Sequence, residues 1–165
     1  MQHVAGGRAE IIEGVITPGS PSRAHENAAE AVRRQLTPRL EELGLVSGSG
    51  TLDLPGSENW STPDPAVVPA GLAAKTEGAL LPDRTLPVVE VTSPSNGETD
   101  RPAKRRRHGR YGTPVRLLVD RQQRECTVFS GPGRLGHAEV DGPHPFGSPV
   151  RLPAPFDPDL DTGRF

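Results

Sequence analysis

Hydrophobic residues fall along the chain in short groups of differing spacing, and the spacing predicts the elements. In "RAEIIEGVITPGSPS" Ile11 and Ile12 precede Gly14, Val15 and Ile16 follow it, and a turn-rich stretch closes the run, which reads as a β-hairpin or bent strand. From Ser22, a candidate N-cap, Ala28, Val32, Leu36, Leu40 and Leu43 recur at helical spacing and form one apolar stripe. Pro38 lacks a backbone donor and is expected to kink this helix or split off its last turn before Gly44 ends it. "SGSGTLDLPG" reads as a short strand among turns, and Pro65 can open, but not centre, a strand over Ala66, Val67 and Val68. "LPVVEVTS" is the cleanest strand, β-branched at Val88, Val89 and Val91 and bounded by Pro87 and Pro94. Asp100 and Pro102 fit the first turn of a helix reaching about Tyr111. "VRLLVD" and "ECTVFS" read as two strands joined by "RQQR", and the Gly- and Pro-rich remainder predicts only short strands and extended coil.

Composition narrows the class. At 165 residues, with 33% hydrophobic and 4% aromatic residues against 19 Gly and 19 Pro, the chain fits one domain with a modest core and much turn structure. The single cysteine, Cys126, excludes an internal disulfide framework and a cysteine metal cluster, and is expected to be a small buried strand residue. No apolar run reaches the roughly 20 residues of a membrane span, and "MQHVAGGRAE" lacks a signal-peptide core, so a cytoplasmic protein without a membrane partner is expected. The net charge of −2 hides an asymmetry: Arg101 to Arg124 carries nine cations and one anion, Asp120. Such a stretch suits a polyanion, or else is an ordinary solvated face in a chain whose 19 cations include only two lysines.

Glu90 is the oddity within this pattern. A carboxylate among valines costs several kcal/mol to bury uncompensated, so it must be paired, neutralised or metal-bound. Asp64 poses the same problem at the head of the run Ala66 to Val68. Two strand carboxylates that converge make a hard oxygen site suited to Mg2+ or Mn2+, and Lys104, about one helix further on, has the chemistry to hold an attacking water. Spacing alone leaves open that Glu90 simply lies at a strand end. His25 at the helix start is placed to approach such a site but reads mainly as a capping or surface residue, the other histidines lack zinc-ligand spacing, Ser93 and Ser95 are turn residues, and Trp60 is a core or rim aromatic.

The ordered series "AEIIEGVI", "SPSRAHENAAEAVRRQL", "PDPAVVPA", "LPVVEVTSPSNGETDRPAK", "YGTPVRLLVDR", "TVFSGP" and "FGSPVRLPAPFDPDLDT" resembles the Uma-type restriction endonuclease family, a branch of the PD-(D/E)XK nuclease superfamily, from about residue 8 to the C-terminus. The resemblance implies an α/β fold with a restriction-endonuclease-like core. A central mixed sheet is flanked by helices, and a β-rich, Pro/Gly-rich extension closes a single domain over 1–165, with the core at about 8–130 and the extension at 131–165.

The resemblance also implies a metal-dependent endonuclease that hydrolyses phosphodiester bonds of DNA. Asp64 matches the metal-binding aspartate of the PD motif and Glu90 the second metal ligand, with Mg2+ or Mn2+ as cofactor. Thr92 stands where other members of the superfamily keep a lysine, and Lys104 on the next helix matches its Uma-type substitute. Glu10, or alternatively Glu13, would be an accessory metal-side carboxylate, and Arg101, Arg105 and Arg106 would contact phosphates. DNA is the implied partner, and nucleases of this superfamily often act as homodimers. The chain departs from the family pattern in having only "MQHVAGG" before the first motif, in Pro65, in His108 where a tyrosine is more frequent, and in Arg116 where an aromatic is frequent. The competing reading is a degenerate member of the same fold that binds nucleic acid or protein through the arginine-rich stretch without cutting.

Overall fold

A computed structural model describes residues 8–12, 15–19, 21–48, 51–53, 60–76, 78–92 and 109–165, with the first two segments and Trp60 described by backbone alone. Strands β1 (Arg8–Ile12) and β2 (Val15–Gly19) form the expected hairpin, with Ile11 opposite Ile16. Helix α1 (Arg23–Glu42) follows, capped by the Ser22 hydroxyl, which accepts a hydrogen bond from the His25 amide at 3.2 Å. It continues through Pro38, so the split, one of the two outcomes expected of that residue, does not occur. Leu36 and Leu40 flank the proline and are both buried, so the core anchors the helix on either side of it. Leu43 caps the helix, and Gly44 then takes a φ of +67°, open to glycine without strain.

Strands β3 (Leu45–Gly48), β4 (Leu52–Asp53), β5 (Trp60–Ser61) and β6 (Ala66–Pro69) lead to a short helix α2 (Ala70–Ala73). A 3₁₀ turn at Pro82–Arg84 precedes β7 (Pro87–Val91). Then come β8 (Val115–Asp120), β9 (Glu125–Gly133), β10 (Gly136–Pro145), β11 (Val150–Arg151) and β12 (Asp159–Leu160). The central sheet has the order β10-β9-β8-β7-β6-β3, and its β7–β8 pair is parallel while the others are antiparallel. A parallel pair requires a crossover, and that connection carries 93–108, outside the described residues. A second sheet, β2-β1-β5-β4, brings β1 against β5 through Ile11 and Trp60.

Alternation along β7 sorts its side chains onto two faces. Val89 and Val91 join the stripe of α1 and Leu117, Val119, Cys126 and Val128 in the main core, whereas Val88 packs with Leu52 and Ala66 in a smaller cluster. Val150, Leu152, Phe156 and Leu160 complete the main core from the C-terminal segment. The ten-residue β10 exceeds the short strands expected there. As an edge strand it tolerates Pro143, and a register shift between Asp141 and His144, with Gly142 at φ +125°, absorbs the irregularity.

Cys126 is fully buried on β9, and burial, with a smaller contribution from the Glu125 charge, pushes its thiol up to about 12 from an ordinary 9.0. The native thiol is therefore expected to resist Ellman's reagent at pH 8, with one equivalent reacting only after denaturation. Rapid reaction of the native protein would show that this strand opens readily. The unfolded chain ionises its thiol near 9 while the folded chain keeps the proton, so this group makes stability fall as pH rises from 9 towards 12.

Candidate active site

The head of β6 is tied to β7 by two backbone bonds, Asp64 N–H to Val89 O at 2.7 Å and Val89 N–H to Pro65 O at 2.9 Å. With Ala66 opposite Val88 in this antiparallel pair, these bonds set Asp64, two residues ahead of β6, beside Val89, the chain neighbour of Glu90 on β7. Asp64 Oδ2 accepts from the Val91 amide at 3.4 Å and from His25 Nε2 at 3.0 Å. The same His25 nitrogen lies 3.1 Å from the Val91 carbonyl oxygen. One turn of α1, fixed by the Ser22 cap, thus delivers an imidazole onto the end of β7.

Glu90 goes to a different partner. Arg116, opposite Val88 on the parallel strand β8, sends its Nε to Glu90 Oε2 at 2.6 Å, and its Nη2 to the same oxygen. Arg116 as a whole residue is buried, 1% exposed, and its guanidinium carbon sits 5.3 Å from the centre of the Phe129 ring. One cation of the arginine-rich stretch therefore faces the interior and adds nothing to a surface patch. Glu90 thus satisfies the requirement that a carboxylate among valines be paired.

Thr92, just past β7, has its hydroxyl committed to the turn after β8: it donates to Asp120 Oδ1 at 3.3 Å and accepts from Arg121 N–H at 3.0 Å. Asp120 Oδ1 also caps the amides of Gln122 and Gln123. Lys104, Arg101, Arg105 and Arg106 lie outside the described residues, and so does Glu13. Glu10 stands on β1 opposite Thr17, with its side chain outside the described set. Among the described residues no three His, Cys, Asp or Glu side chains group to hold an ion. Nor is any helix there long and apolar enough to cross a membrane.

Of the two readings of His25, the sequence favoured a capping or surface role over an approach to the site, yet the residue is 5% exposed and joins Asp64 to Val91. Its place inside the "SPSRAHENAAEAV" motif, one turn below the apolar stripe and on the same side as Ala28 and Val32, was the available signal.

The mixed six-stranded sheet with one parallel pair, Asp64 just ahead of β6 and Glu90 near the end of β7, has the restriction-endonuclease-like α/β fold. The chain belongs to the family described as "Uma2: Putative restriction endonuclease", which matches residues 2–161. The fold is shared with a crystal structure of "a putative nuclease belonging to DUF820" from Anabaena variabilis, with a TM-score of 0.73 at 16% identity over 94% of this chain and 88% of that one. No curated protein matches the chain.

Proposed function

We propose that the protein is a divalent-cation-dependent endonuclease that hydrolyses phosphodiester bonds of DNA. The observation that carries this reading is the meeting of Asp64 Oδ2 and the Val91 carbonyl oxygen at one nitrogen, His25 Nε2, at 3.0 and 3.1 Å. Two hard oxygens that share one proton can share one divalent ion, so the donor chemistry fits Mg2+ or Mn2+. Asp64, the Val91 carbonyl and Glu90 would hold it, with Glu10 as an accessory carboxylate. A divalent ion bound there supplies Lewis-acid polarisation of the phosphate and a water of lowered pKa.

The chain's own residues do the remaining work. Arg116 fixes one oxygen of Glu90 and so sets the direction of the other. Lys104 orients the attacking water, and Arg101, Arg105 and Arg106 grip flanking phosphates, which brings affinity without sequence readout. The proposal carries with it a cytoplasmic setting and a homodimer as the acting unit.

The test is incubation of supercoiled plasmid and single-stranded DNA with the full chain in Mg2+, in Mn2+ and in EDTA. Nicked circles that need a divalent ion are expected. Intact DNA under all three conditions, or cutting that continues in EDTA, would overturn the reading. The Arg116–Glu90 pair favours a second reading, in which Glu90 is withdrawn from the ion and the protein binds nucleic acid or protein without cutting. Under that reading the same mixtures give a retarded DNA band and no nicks.

A further inference from the structure

His25 Nε2 faces two acceptors, which assigns a proton to Nε2 and leaves Nδ1 as the second ring nitrogen. That Nδ1 is buried without a hydrogen-bond partner, and native structures rarely keep such an atom without a use. The carboxylate of Glu26, the next residue on α1, lies 3.9 Å from it. A histidine held by two oxygens on one nitrogen, with an idle second nitrogen beside a carboxylate, has the parts of a ligand whose coordinating atom is protonated.

The spacing agrees. Neighbouring ligands of an octahedral ion, each at about 2.1 Å, stand roughly 3.0 Å apart. His25 Nε2 already keeps this separation from Asp64 Oδ2 and from Val91 O. The tautomer with its proton on Nδ1 presents the Nε2 lone pair to the side of the same two oxygens. The new Nδ1–H then has the Glu26 carboxylate as a neighbouring charge 3.9 Å away, beyond direct hydrogen-bond reach.

We propose that His25 is a nitrogen ligand and that the site takes a first-row transition divalent cation, through His25 Nε2, Asp64 and the Val91 carbonyl, in preference to Mg2+. The inference rests on the reading above that Asp64 and Val91 face a divalent ion. An imidazole adds little for magnesium, which prefers oxygen ligands and its own waters, and more for manganese and its heavier neighbours.

Pulsed EPR of Mn2+ bound to the full chain tests this directly. Electron spin-echo modulation from a coordinated ¹⁴N is expected in the wild type and is lost in His25→Gln. Mn2+ affinity should fall at least about tenfold in that variant, as it does when ligand spheres are disturbed, while calorimetric Mg2+ affinity changes by less than about threefold. Bound Mn2+ without nitrogen modulation in the wild type overturns the proposal, and so does modulation that survives in His25→Gln or a failure to bind Mn2+. The wild-type spectrum needs no variant to fold. Cleavage is scored apart: nitrogen modulation without cutting keeps the ligand and removes the nuclease reading, whereas cutting with an oxygen-only spectrum does the reverse.

Discussion

Arg116→Leu is expected to destabilise the protein by about 3–5 kcal/mol, the cost of leaving one member of a buried ion pair without the other. For a domain of this size that lowers the thermal midpoint by on the order of 10 °C. The guanidinium side chain is 2% exposed and the Glu90 side chain 11%, so little water is available to replace the lost partner. Two donors of Arg116 converge on one Glu90 oxygen, and the Phe129 ring under the guanidinium loses its cation as well. The double variant Arg116→Leu/Glu90→Leu removes both charges from a largely apolar surrounding and is expected to recover most of the loss. Urea denaturation of the parent, both singles and the double closes the cycle. A single-variant cost below about 1 kcal/mol would mean that solvent reaches Glu90 freely and that the pair is not an interior one.

That pair also marks how far the sequence could be read. The valine-flanked Glu90 announced its need for a partner, because no burial of a carboxylate is tolerable otherwise. Its partner was hidden, since Arg116 looked like one cation among nine between Arg101 and Arg124. Only the parallel register of β7 and β8, which places Arg116 opposite Val88, brings the guanidinium within reach of Glu90. Local elements with strong periodicity were legible: the β1–β2 hairpin, the α1 stripe, β7 and the β8–β9 hairpin all follow from alternation or helical spacing. The continuity of α1 through Pro38 and the length of β10 were not, because both are decided by tertiary partners. In the first case Leu36 and Leu40 lie in a core whose other side is remote in sequence, and in the second an edge position makes proline harmless. His25 fell between the two. Its helical phase was visible, but its meeting with Asp64 and Val91 depends on contacts across 39 and 66 residues.

The two carboxylates should separate chemistry from stability when each is neutralised. Asp64→Asn and Glu90→Gln are both expected to lower divalent-dependent nicking by at least about a hundredfold. Disturbing groups that merely support a metal ligand already costs ten- to a hundredfold, and loss of the ligand itself should exceed that. Their folding energetics differ. At position 64 the amide keeps the shape of the carboxylate and leaves an acceptor for the His25 Nε2 proton and the Val91 amide, so the melting transition should move little. At position 90 the amide leaves the buried Arg116 cation facing a neutral oxygen, and about 1–3 kcal/mol of stability should go with it. Asp64→Asn is therefore the cleaner probe, since inactivity in a protein that melts like its parent cannot be blamed on unfolding. Nicking rates measured beside thermal melts decide the matter. Undiminished cutting by folded Asp64→Asn would remove Asp64 from the site, and the same result for Glu90→Gln would leave Glu90 as nothing more than the counter-ion of Arg116.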